Sequence, residues 1–240
     1  MEKTAVVRNL RIIYPIWIVL GIFSLMYVPS QTVVPGDGQA TVNAIGDRLL
    51  LYKLGIAGTL LTQLLFIAAV VLLHRLFSGI DRRLRTWLLV LGLTGVPIAM
   101  LNSIHLFAAL TFIQGEWIAE YFATEQVWAW VLFFLELNEQ GIIIASIFWG
   151  LWLFPLGALV LKSGYFPRFL GWLVLLAGVG YMLNSFIRIM APEYSLLSNT
   201  LEYFTFGEVI FALWLIILGV NKKTLKDENP HDPMRQVANG

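Results

Sequence analysis

The chain has no cysteine, which excludes disulfides, thiol nucleophiles and thiolate-ligated metals. Charge is scarce too. Asp, Glu, Lys and Arg together make 13% of 240 residues, against roughly a quarter in soluble domains. The net charge of +1 supplies no basic surface for a nucleic-acid partner. Histidine occurs three times, with no HExxH or paired spacing, and no metal is assigned. Also missing are G-x-S-x-G, a phosphate loop and a nucleotide fingerprint. No cofactor and no oligomeric state is written in the residues.

What remains is apolar. Hydrophobic residues make 58% of the chain, and several runs reach the roughly 20 residues that cross a bilayer core. The expected fold is all-α: a polytopic transmembrane helical bundle of about six spans, one domain over residues 1–220, its partner the lipid bilayer.

In chain order, span one covers about Leu10–Val28, an uncleaved segment because no small-x-small site follows it. A breaker, Val34-Pro35-Gly36-Asp37-Gly38, and a short surface helix lead to span two, Leu49–Phe77. A basic turn, Ser78–Arg85, precedes span three, Thr86–Ile113. The acidic segment Gln114–Gln126 alternates Glu116, Glu120 and Glu125 with aromatic residues and reads as an amphipathic interfacial helix. The next apolar run, Val127–Leu161, would be about 52 Å long as one helix, against a core of about 30 Å. A break is expected at Gly141, with span four at Glu139–Leu161. Span five is Arg168–Met190 and span six Leu201–Val220, with a disordered cytoplasmic tail over residues 221–240.

Of the 16 Lys and Arg, all but Arg48, Lys53 and Arg188 fall on the side that holds both termini. By the positive-inside rule that side is cytoplasmic. Two turns also echo each other. Ser78-Gly79 and Ser163-Gly164 are each followed by an arginine (Arg83, Arg168) and a tryptophan (Trp87, Trp172), and Met100–Ser103 recurs as Met182–Ser185. The matches fit two similar hairpins, and they fit chance in apolar sequence equally.

The polar groups inside the spans concentrate toward the outer side. Asn102 and His105 share a face of span three, and Asn184 and Arg188 share one of span five. Glu136 and Glu139 stand at the mouth of span four and Glu208 inside span six, with Arg188 as its natural counter-ion. Lys53 and Gln63 lie on span two, and His74 ends it. Intramembrane ionisable groups are functional candidates by default. The ligand-binding set is therefore Glu139, Glu208, Arg188, His105, Asn102, Asn184 and Glu136, with Glu139 pointing inward as the lip of a pocket. The plainer reading of each is a helix–helix contact, a snorkelling cation or a cap; Glu202, three residues after Asn199, fits a capping box. The preferred function is a membrane protein binding a small molecule or lipid in a polar pocket open to the extracytoplasmic side. One alternative is an intramembrane enzyme with His105 or Glu139 as base; the other is a structural or regulatory subunit.

Val34-Pro35-Gly36-Asp37, Leu54-Gly55-Ile56, the turn Ser163-Gly164-Tyr165-Phe166-Pro167-Arg168-Phe169-Leu170-Gly171, Ala177-Gly178-Val179-Gly180-Tyr181 and Gly207-Glu208 resemble a family of bacterial integral membrane proteins known only as a domain of unknown function. The likeness runs over about residues 10 to 220. It implies some six helices and no established activity; the expected location is the cell membrane, the bacterial inner membrane. In that family an Asp and a His tend to stand where this chain has Glu136 and Asn138. The His is missing here, which weakens the case for a metal at that place.

Overall fold

The computed structural model describes residues 2–221. The expected tail lies outside the described residues except for Asn221. Every regular element among the described residues is helical, and six helical stretches are long and apolar enough to cross a membrane: Lys3–Thr32, Leu49–Leu76, Arg82–Gln114, Thr124–Ser163, Arg168–Met190 and Ser195–Ile217. The chain is an all-α, six-span membrane protein.

Prolines punctuate these stretches. The first comprises α1 (Lys3–Ile22), a π-helical turn (Phe23–Tyr27) and α2 (Val28–Thr32). Pro29 supplies no N–H, and the wider turn just before it takes up the register. Gly36, at φ 76°, then turns the chain, and the Asp37 carboxylate accepts from the Ala40 N–H at 2.8 Å to cap α3 (Gly38–Asp47). α4 (Leu49–Leu76) is the uninterrupted second span. The third is α5 (Arg82–Asn102) and α6 (Ile104–Gln114), bent at Ser103 and containing Pro97.

Two expectations fail in the acidic segment and in span four. Residues 114–126 form no interfacial helix. They make only the single turn α7 (Ile118–Tyr121) before α8 (Thr124–Leu151), where the Gln126 side chain accepts from the Ala123 N–H at 2.8 Å and caps the start. Nor does the chain break at Gly141, which lies inside α8. The interruption falls at Trp152, before α9 (Leu153–Ser163). The cause is Pro155, whose ring cannot sit against the Leu151 carbonyl and whose missing N–H leaves that carbonyl unbonded.

α10 (Arg168–Met190) matches expectation, whereas α11 (Ser195–Ile217) begins earlier than expected. Its polar first turns had read as loop. The backbone is helical from Ser195, and the Thr200 hydroxyl donates back to the Leu196 carbonyl at 2.8 Å. Asn199 is accordingly internal and does not cap the helix for Glu202.

The described residues divide into two compact units, 2–14 with 69–91 and 149–221, and 15–68 with 92–148. In the first, α8–α9 and α10 approach closely through glycine. A Cβ at Gly150 would lie 2.9 Å from the Gly178 carbonyl oxygen, and one at Gly157 2.9 Å from that of Gly171. Two facing glycine pairs, two turns apart, set this antiparallel crossing as small residues do within membranes. Its core carries Leu73, Leu88, Leu156, Val174 and Phe211. At one end Phe77 stacks on Tyr165 at 6.1 Å, while the Tyr165 carbonyl accepts from the Asn221 N–H at 2.9 Å and its hydroxyl from Lys3 Nζ at 2.6 Å. Both described chain ends are thus tied to one turn. The second unit is cored by Ile45, Tyr52, Ile56, Ala109 and Val131.

Candidate functional site

Each unit holds one polar constellation. In the second, Leu106 and Phe107 both donate to the Ser103 carbonyl, at 3.1 and 3.2 Å. This leaves the Asn102 carbonyl open at the bend, and the Asn138 side-chain amide donates to it at 3.3 Å. In return the Asn102 amide donates to the Asn138 carbonyl at 2.8 Å. Because the Asn102 nitrogen is committed to that bond, its oxygen must accept from His105 Nδ1 at 3.0 Å. The assignment makes His105 Nδ1 a donor. Gly141 lies directly against the Asn102 amide. A side chain there would fill the space the amide occupies.

Asn102 is buried, His105 half-buried, and Glu136 and Glu139 are exposed. Glu139 therefore does not point inward as expected; on that turn the inward residue is Asn138. Glu136, also exposed, accepts from Gln140 Nε2 at 2.9 Å. Both carboxylates expected at the mouth of span four therefore lie on the exposed surface of α8.

The first unit holds Glu208, Arg188 and Asn184. The Asn184 side-chain oxygen accepts from the Ser198 hydroxyl, a contact that sets the register of antiparallel α10 and α11. In that register Arg188 is level with the start of α11 and is exposed, while Glu208 lies about 20 Å further along α11. The expected Arg188–Glu208 pair does not form. Glu208 is hydrogen-bonded instead by Tyr181, from the middle of α10. Tyr14 of α1, buried, is within electrostatic reach of the same carboxyl. No Lys, Arg or His contacts Glu208 among the described residues. Glu208 thus lies in the middle of α11 and not beside the loop that precedes it.

Sequence reasoning missed both tyrosines and Asn138. Tyr181 had a signal available, since it sits in the same Ala177–Tyr181 stretch that carries the family resemblance. Among the described residues no three His, Asp or Glu groups gather as metal ligands. What the Glu208 arrangement can do chemically is accept a hydrogen bond or a positive charge inside the span. A carboxyl group there is costly to hold ionised without a partner, and its protein neighbours are hydroxyls.

Residues 12–219 match the protein family described as Domain of unknown function (DUF4386). An uncharacterized protein of Archaeoglobus fulgidus is 45% identical over 78 residues, which are 32% of this chain and 44% of that protein. The likeness therefore spans less than half the length of the archaeal relative. No solved structure matches the chain.

Proposed function

Starting from the chain's membership of the DUF4386 family, to which it belongs, we propose that it binds a small molecule or lipid within the membrane, with the Glu208 carboxyl and the Tyr181 hydroxyl as the polar contact. The observation that carries this reading is a carboxyl group in mid-span whose partner is a phenol and not a cation. A buried charge pair would have satisfied Glu208 within the protein. A phenol leaves acceptor capacity, so the recognised group is a hydrogen-bond donor or a cation such as an amine. Asn102, His105 and Asn184 then hold helices together, and Glu136, Glu139 and Arg188 face outward. The distribution of Lys and Arg supports a cell-membrane setting with both termini cytoplasmic and ligand entry from the opposite face.

The test is mass spectrometry of what stays bound after gentle purification. Wild-type protein retains a small molecule or lipid that E208Q loses and Y181F holds less well, with unchanged thermal unfolding of both variants. Equal retention in all three overturns the reading.

The Asn102–Asn138 bonds favour a second reading, a structural or regulatory subunit, in which polar groups serve only helix contacts. It expects E208Q to alter unfolding without changing what is retained, and a partner protein to accompany the chain.

A further inference from the structure

The echo between the two basic turns has a physical form in the first unit. Gly79 and Gly164 both adopt positive φ, 93° and 66°, and each reverses the chain ahead of a helix that starts at Arg82 or Arg168. One turn separates Arg83 from Trp87 on α5, and the same spacing separates Arg168 from Trp172 on α10. Both indoles face away from the protein, 58% and 62% exposed, although the neighbouring Leu88 and Leu170 are fully buried. Both arginines are exposed as well, and neither guanidinium makes a hydrogen bond or ion pair among the described residues. Asp81, the acid nearest to Arg83 in sequence, is paired with Lys162 Nζ at 2.8 Å.

We propose that Arg83 with Trp87, and Arg168 with Trp172, form two equivalent sites for the headgroup phosphate of an anionic phospholipid. The guanidinium fork matches two phosphate oxygens. The indole stands about 6 Å further toward the span interior, at the depth where amphipathic rings settle among glycerol esters. At the Gly79 turn, preference for a net-negative lipid over a zwitterionic one is reinforced by Arg75 and Arg82, which are also exposed there; at the Gly164 turn it rests on Arg168 itself. A basic residue near an anionic surface favours it about fivefold. The sites involve neither Glu208 nor Tyr181, so they stand or fall apart from the ligand reading above.

Native mass spectrometry of the full chain, released from bilayers containing equal phosphatidylcholine and phosphatidylglycerol, tests this. Wild type retains two phosphatidylglycerol molecules in preference to phosphatidylcholine. R83Q and R168Q each lose one with about fivefold weaker binding at the altered site, the double variant loses both, and R48Q keeps both. Undiminished phosphatidylglycerol on the double variant, or equal retention of the two lipids by wild type, overturns the proposal. If the double variant does not purify folded, W87L/W172L asks the same question: shorter phosphatidylglycerol residence supports the sites and unchanged residence overturns them.

Discussion

Asn102 and Asn138 hold each other twice, each side-chain amide donating to the other's backbone carbonyl at 2.8 and 3.3 Å. The two bonds respond differently to substitution, because only side chains can be removed. N102A deletes the shorter bond together with the partner of His105, while N138A deletes only the longer one. Interhelical hydrogen bonds in membranes average about 0.6 kcal/mol and reach about 1.7. N102A is therefore expected to destabilise by about 1–2 kcal/mol and N138A by about half of that, read by reversible unfolding in mixed micelles. A larger effect for N138A would mean that the bond to the open Asn102 carbonyl outweighs the shorter one.

Gly141 is needed for that contact. A Cβ there collides with the Asn102 amide, so G141A is expected to cost about 1–3 kcal/mol as overpacking. In an N102A background the obstruction is gone. The same substitution then becomes neutral or stabilising, because alanine favours helix over glycine by up to about 1 kcal/mol. A double-mutant cycle measures the reversal, and simple additivity would refute the contact.

These residues also show where the sequence was legible. Six spans followed from run length and charge alone, because hydrocarbon tolerates few other arrangements. Breaks within spans were not read correctly. Glycine at 141 looked like punctuation and proved to be a packing contact, while Pro155 passed unremarked. A proline removes an N–H wherever it stands, whereas a glycine inside a membrane helix is as often a small surface for a neighbour. The Arg188–Glu208 error came from shared depth being taken for adjacency. Two helices joined by a short loop are antiparallel, so residues pair by equal distance from the loop. Arg188 is a few residues from it and Glu208 more than three turns. That arithmetic was available in the sequence once α11 was allowed to begin at Ser195. The bond between Glu208 and Tyr181 was not, since it depends on which faces of α10 and α11 meet.

Arg11 closes the far end of α11. Its Nε donates to the Ile216 carbonyl at 2.7 Å and its terminal nitrogen to that of Ile217 at 3.0 Å, placing a cation on the negative end of the helix. R11A is expected to lose about 0.3–1 kcal/mol, typical for an exposed cation at a helix C-terminus. R11K should recover only part, because an ammonium lacks the fork that spans two carbonyls. Amide exchange at Leu218 and Gly219, both bonded to the Trp214 carbonyl, should quicken in R11A and less so in R11K.

Lys162 and Asp81 join the two basic turns at 2.8 Å, and their bond makes the junction sensitive to acid. The hydrogen bond from Lys162, with a second from the Leu84 N–H at 3.1 Å, holds the Asp81 carboxyl below the ordinary carboxylate range. With a folded value depressed below the unfolded one, the contribution is complete above about pH 4 and is lost as pH falls through the folded value. Carbon NMR of aspartate-labelled protein should show Asp81 titrating below its usual range in wild type. In K162Q the main cause is gone, and the titration should move back up toward about 4, with the Leu84 bond retaining part of the depression. An unchanged titration in K162Q would assign the shift to the backbone and leave the turns joined by packing of Phe77 against Tyr165 and Phe166 alone.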